Sequence, residues 1–510
     1  MGQALIAPQF PNLQRQLEGH DVLCVYGVGD GSFYSQIQSW LKKKEERYAI
    51  FVEEDETIFL RAKELPFVKD PKVRLYYHGS EETFAQIAWE FLFLSCTHVN
   101  CVEEKNARAT QFFYLLDVAM HTVNLLAADS RDMGQRILTN LIHNLSAFPQ
   151  ALLGSSLKDS CRGVPAIICG AGPSLNSIIP LLSKLKDNAL LIAGGTAINA
   201  LNAQGIIPHL AAHVDPHPPY SRFLQQDIAE TPFLYQHRFS HELLEKVHGP
   251  RVWMAGSGSY PLEEWMNSSC GVASERRDNG WTVATFCTSL ALELGCNTLI
   301  LAGMDFACGE DEAIYASGVS GQEHADEFLS FEDEAGNEHL TKRDWLMSAE
   351  WLSAKAKEYS DRRWLNVSSG GLPIKEIPRV DLSSLLFPTS DIDAQLHAVL
   401  AQATGSCVDP AQVNMTLAQL KESFRQTSHQ VKQLFNLWKK LHPRHPLENT
   451  DYVFIQMELE QGICYQHFLQ PLWEVWKHPI LRKEPHPVGK QLHRLLFFNN
   501  VLDTNMRVFA

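Results

Sequence analysis

A six-residue turn, Gly170-Ala171-Gly172-Pro173-Ser174-Leu175, follows the apolar run Val164–Cys169 and leads into a helical stretch. A buried strand that ends in glycines and passes straight into a helix is the opening of a parallel strand–helix–strand unit. The same cycle recurs downstream. Ala189–Ala193 runs into Gly194-Gly195-Thr196 and a helix through Leu201, and Leu210–Val214 stops at Asp215-Pro216. Pro232–Tyr235, Val252–Ala255, Thr298–Leu301 and Trp364–Val367 are further short apolar runs, with a helical pattern over Thr282–Leu294. Such alternation predicts an α/β fold, a Rossmann-like, doubly wound, mostly parallel sheet. Its ligand crevice lies beyond the carboxyl ends of the strands, where Gly170, Gly194, Asp215 and Asp305 fall.

An earlier cycle, Asp21–Tyr26, Gly27-Val28-Gly29-Asp30-Gly31, a helix to Glu46 and the strand Tyr48–Val52, predicts a second Rossmann-like unit. Glu53, Glu54 and Asp55 close it. A carboxylate at that strand end either accepts a ribose, as in dinucleotide and methyl-donor folds, or belongs to a tight turn beside a solvated acidic loop. After Asp391 the strands stop, and Leu417, Leu420, Phe424, Val431, Leu434, Trp438 and Leu441 form one stripe of a long helix. Three domains are predicted: residues 1–160, 161–385 and 386–510. The last is helical, its stripes forming core or a homo-oligomeric contact.

Composition narrows the partners. Acidic side chains outnumber basic ones 59 to 44, a formal charge of −15, which repels a nucleic-acid backbone. Eleven scattered cysteines without a CxxC pair predict reduced thiols rather than a disulfide framework or zinc knuckle. No leader, lipid signal or membrane span is read, so the expected location is the cytoplasm.

In the turn at 170–175, glycines at 170 and 172 would permit positive φ and leave no Cβ between backbone and ligand. Pro180 places the start of the regular helix near Ser177, leaving the N–H groups of Ser174, Leu175 and Asn176 to face a phosphate. A ligand-free tight turn satisfies the same glycines. No GxxxxGK[ST] occurs, which argues against a P-loop triphosphatase. His209, His213 and His217 alternate along a strand and its end, which is not metal-ligand spacing; one of them, or His237, is a candidate general base. No metal site is expected. Arg276 and Arg277 are candidates to clamp a donor phosphate or carboxylate, or form a solvated pair. Tyr315–Lys342, acidic and rich in Gly and Ser, reads as a mobile loop able to close over substrate, or as disorder.

Four blocks carry a resemblance over roughly residues 20–380. They are Ile168–Leu175; Ala193–Leu201 with Gly205-Ile206-Ile207-Pro208; Asn279-Gly280-Trp281-Thr282-Val283-Ala284; and Leu294-Gly295-Cys296 running on to Leu301–Phe306. In these the central segment resembles the domain of motility-associated factor (flagellin) glycosyltransferases and of archaeal 6-hydroxymethylpterin diphosphokinase-like (MptE-like) proteins. The first and last blocks are also similar to bacterial sialyltransferases, which use a cytidine-monophosphate-linked sugar.

The resemblance implies transfer of a sugar from a nucleotide donor, such as a CMP-linked nonulosonic acid, to a protein hydroxyl. It places Gly170, Ala171, Gly172, Pro173, Ser174 and Leu175 on phosphate and Gly195, Thr196 and Asn199 along the nucleoside. Asn279, Gly280, Thr282 and Arg277 would lie near the donor, with Asp215, Asp305 and His213 as catalytic candidates. Pro208-His209 departs from the Pro-Asp that the family carries. The alternatives are ATP-dependent diphosphate transfer with Mg2+, in which Asp215 would hold the metal, and a non-catalytic nucleotide-binding protein.

Overall fold

Strands buried on both faces read as unbroken apolar runs, and those runs form the two sheets of this protein. The computed structural model describes residues 13–80, 82–102, 107–218, 229–256, 260–273, 277–309, 313–319, 328–332, 336–385, 387 and 391–509. They form two compact units. One comprises residues 1–132, 433–454 and 470–498, the other residues 133–432, 455–469 and 499–510.

In the first unit β1 (Val22–Tyr26), β2 (Tyr48–Glu53), β3 (Val73–Tyr77) and β4 (Cys96–Asn100) form a parallel sheet in the order β3-β2-β1-β4. Alternate residues serve opposite cores. Val22, Cys24, Ile50 and Val52 pack on Phe84, Ile87, Phe91 and Phe112, while Leu23, Val25, Ala49 and Phe51 pack on Phe33, Ile37, Trp40 and Leu41. The edge strands β3 and β4 are partly exposed and carry Arg74, His98 and Asn100, so they lack the apolar run that marks β1 and β2.

The acidic strand end of this unit is occupied by its own backbone. One Glu53 oxygen accepts the Val28 N–H at 3.0 Å, and the other accepts those of Glu54 and Asp55 at 3.0 and 3.1 Å. Asp55 caps the helix Glu56–Ala62 through the Ile58 N–H. With Glu53 8% exposed, the geometry is that of a self-satisfied tight turn rather than a ribose-accepting carboxylate.

The second unit holds an eight-stranded, all-parallel sheet. Its strands are β5 (Leu152–Leu153), β6 (Pro165–Cys169), β7 (Leu190–Gly194), β8 (Leu210–His213), β9 (Phe233–Tyr235), β10 (Arg251–Trp253), β11 (Thr298–Ala302) and β14 (Arg363–Asn366). Their order is β14-β11-β6-β7-β8-β9-β10-β5. The chain proceeds outward from β6 to β10 and then returns to β11 on the other side of β6. The point where strand order reverses therefore lies between β6 and β11, where crevices open in such sheets. Ala166, Ile168, Ile192, Ala212, Leu234 and Leu301 pack with Phe286, Cys287 and Leu290 of the helix Val283–Glu293 to form the main core. The architecture is thus Rossmann-like and doubly wound.

Two expectations change. Part of the segment read as a mobile loop is an antiparallel hairpin, β12 (Leu329–Glu332) with β13 (Glu338–Thr341); residues 320–327 and 333–335 lie outside the described residues. The helix after the glycine turn begins at Leu175, not near Ser177, and carries Pro180 within it. The long helix Pro410–Leu441 buries Leu420, Phe424, Val431 and Leu434, so its stripe is core. All eleven cysteines are free, and no helix among the described residues is long and apolar enough to cross a membrane.

Two histidines of this unit are held neutral. Nδ1 of His209, 4% exposed, accepts the Leu191 N–H at 2.8 Å, and burial lowers its pKa from 6.5 to about 4. His237, packed against Phe148 and Trp253, is pushed by burial to about 3. The unfolded chain protonates both near pH 6.5 and the folded chain only near pH 4 and 3. Stability is therefore complete above pH 6.5 and is lost as pH falls toward 4. Urea unfolding at pH 7 and pH 5 is expected to show this loss, with H209Q removing on the order of 1–2 kcal/mol of the difference; an unchanged difference in H209Q contradicts the assignment.

Candidate functional site

The glycine turn after β6 meets the end of β11 at very short range. A Cβ on Gly170 would lie 2.6 Å from the Gly303 carbonyl oxygen, and one on Gly172 would lie 2.5 Å from Asp305 Oδ2. Neither glycine has positive φ; that conformation falls on Gly195 (55°), Gly280 (71°) and Gly303 (63°). Gly170 and Gly172 are thus required for close packing against β11, a different reason from the conformational freedom expected.

That packing is fastened by Asp305. Its carboxylate accepts the Ser174 N–H at 2.8 Å and the Ser174 hydroxyl, and it is 4% exposed. Burial raises the Asp305 pKa above the ordinary carboxylate value, against the opposing effect of the Ser174 bonds. The Leu175 N–H goes to the Gly172 carbonyl at 3.0 Å and the Asn176 N–H to that of Pro173 at 3.2 Å. The three amides expected to face a phosphate are therefore committed within the turn, because a carboxylate on the neighbouring strand and the turn's own carbonyls reach them first.

A cleft of about 170 Å3 opens beside this clamp. Of the residues singled out from sequence, Gly170, Ala171, Gly172, Gly195, Thr196, Asp215, Thr282 and Asp305 line it. Pro173, Ser174, Leu175, His213, Asn199, Arg277, Asn279 and Gly280 are not in its wall. The sequence reading missed Val283 and Ala284 as amide donors, and also Phe306, Ile314, Tyr315 and Trp345. The Thr282 hydroxyl that caps the helix was the one signal pointing to the amides just after it.

The first-turn N–H groups of Val283 and Ala284 have no acceptor within their helix, nor does that of Thr196 at the start of the helix Thr196–Asn202. The Ala171 N–H has no acceptor among the described residues. These amides are open backbone donors on residues that line the cleft.

The block Asn279–Thr282 builds the helix start. Thr282 and Thr285 form a reciprocal cap, and Gly280 must be glycine because a Cβ there would lie 2.5 Å from Thr285 Oγ1. Asn279 donates to the Ala255 carbonyl at 3.1 Å. Arg277 pairs with Glu293 at the far end of that helix, so its guanidinium is engaged away from the cleft; Arg276 lies outside the described residues.

Asp215 is the more open carboxylate, its side chain 46% exposed. Nδ1 of the buried His213 accepts the Val214 and Asp215 N–H groups at 3.1 and 3.3 Å, which fixes the bend that presents Asp215. The helix Ala107–Ala147 holds this bend and the loop after β9. Asn140 donates to the Pro216 and Arg238 carbonyls at 3.0 and 2.9 Å, and Asn144 to those of His237 and Phe239 at 2.8 and 2.7 Å. Of the candidate bases, His209 and His237 are buried and neutral, and His217 hydrogen-bonds Arg136. Among the described residues no group of three or more His, Cys, Asp or Glu side chains gathers at metal-binding spacing.

The clamp makes a ranking testable by denaturant unfolding. D305N, which leaves one Ser174 donor facing an amide NH2, is expected to cost about 1–3 kcal/mol. S174A, which keeps the backbone bond, is expected to cost less; equal stability of wild type and D305N would contradict the clamp.

Residues 137–311 match the family model described as 6-hydroxymethylpterin diphosphokinase MptE-like. No curated protein matches the chain. Among solved structures, the MAf glycosyltransferase from Magnetospirillum magneticum AMB-1 is similar, with a TM-score of 0.54 and 14% identity over 96% of this chain and 78% of that one. The central segment thus matches the MptE-like family, and the chain shares its fold with an MAf glycosyltransferase.

Proposed function

We propose that the chain is a glycosyltransferase of the motility-associated factor type, taking a sugar from a nucleoside monophosphate donor and transferring it to a protein hydroxyl. The donor class is a CMP-linked nonulosonic acid. One observation supports the choice of a single phosphate: the cleft presents amides and a helix N-terminus to an anion, and among the described residues its wall carries Asp215 and Asp305 but no lysine or arginine. A few amides and a helix dipole suit one phosphate; a triphosphate brings several negative charges toward two carboxylates, with no lysine or arginine among the described wall residues to offset them.

In the reaction the acceptor oxygen bonds to the anomeric carbon as the bond from that carbon to the phosphate oxygen breaks. The acceptor proton passes to Asp215, and the departing nucleotide takes the bonding pair. The charge gathering on its phosphate is stabilised by the N–H groups of Ala171, Thr196, Val283 and Ala284, already oriented by the fold. Asp305 holds the turn that carries Ala171. His213 and Asn140 hold the bend that carries Asp215.

The family description favours a second reading, diphosphate transfer from ATP. Magnesium would then rely on the phosphates and Asp215, because Asp305 directs both oxygens at Ser174. Calorimetric titration separates the two. CMP is expected to bind without magnesium and more tightly than ATP with magnesium, and D215N is expected to slow donor turnover about 100-fold or more while sparing CMP binding. Preference for ATP with magnesium sinks the glycosyltransferase reading.

A further inference from the structure

We infer that Tyr315 and Trp345 form a stacking site for the planar base of the nucleotide, at the same cleft whose amides hold the phosphate; the inference rests on that reading of the cleft. Beyond its glycines and polar groups, the cleft is lined by Phe306, Ile314, Tyr315 and Trp345. Tyr315 lies in the irregular chain after β11 and Trp345 in the helix Arg343–Glu358, and both are only half-buried. Partly exposed aromatic rings converging on one cleft offer flat apolar faces, and every nucleobase has a π-face to match.

The chain beside Tyr315 and the ring of Trp345 are both held. The residues next to Tyr315 are tied to the glycine turn: the Ala316 N–H donates to the Ala171 carbonyl at 2.8 Å, and the Ser317 N–H to Asn176 Oδ1 at 2.9 Å. Tyr315 is thereby anchored to the turn that offers the Ala171 amide. Trp345 lies in the first turn of the helix Arg343–Glu358. Its indole packs edge-on against Phe328 at 6.0 Å between centroids, and the Lys342 ammonium lies 5.7 Å from its ring. A ring packed as Trp345 is, and a backbone anchored as it is beside Tyr315, lose little freedom when a base stacks there.

The test compares a ligand that has a base with one that lacks it. Calorimetry with CMP and with ribose 5-phosphate is run on wild type, W345A, Y315A and W345F. Wild type is expected to bind CMP more tightly than ribose 5-phosphate. W345A and Y315A are each expected to weaken CMP about tenfold or more, leaving ribose 5-phosphate unchanged, which also shows that the variants remain folded. W345F is expected to recover most of the CMP affinity. Equal weakening of both ligands, or no weakening of either, overturns the stacking site while the phosphate site stands. If wild type binds neither ligand, the reading of the cleft fails and the stacking site falls with it.

Discussion

The contact between the turn after β6 and the end of β11 is the constraint on which the second unit's cleft depends. Two strands distant in sequence approach so closely there that Gly170 and Gly172 can carry no side chain, and the Asp305 carboxylate reaches across to both donors of Ser174. A buried carboxylate is costly unless hydrogen-bonded, and the Ser174 N–H and hydroxyl provide that compensation. The result is a rigid junction at the point where the sheet's strand order reverses. The cleft's remaining amides come from elements that pack around it.

This arrangement divides labour between residues that resemble one another in sequence. Ser174 and Asp305 look like ligand-binding groups but satisfy each other. Asp215 is the more exposed carboxylate, with His213 and Asn140 committed to the bend that carries it. Electrostatic preorganisation of this kind needs donors that are fixed and unpaired before the ligand arrives, a condition the start of the helix Val283–Glu293 meets and the turn at Ser174 does not.

Much of the fold was legible because its inner strands are buried on both faces: β1, β6 and β7 are apolar from end to end, and β2 and β11 carry a polar residue only at one end. Edge strands β3 and β4 escaped because exposure lets Arg74, His98 and Asn100 interrupt the pattern. The hairpin β12–β13 escaped because its residues are mostly exposed and lie in a stretch rich in acidic residues, which reads as loop. At the site, the glycine positions were readable but their reason was not. Close approach to Gly303 and Asp305 is a tertiary fact, whereas sequence shows only that a side chain is missing. Tyr315 and Trp345 were hidden for a related cause: each is an ordinary aromatic until the chain brings it to the cleft.

A crystal structure of the protein with CMP tests the central claim most directly. The account expects the phosphate to accept hydrogen bonds from the backbone at Val283 and Ala284, with Thr196 or Ala171 completing its shell, while Asp305 still holds Ser174. A phosphate seated on the Ser174–Asn176 amides with Asp305 displaced, or CMP bound away from the β6–β11 junction, would contradict it.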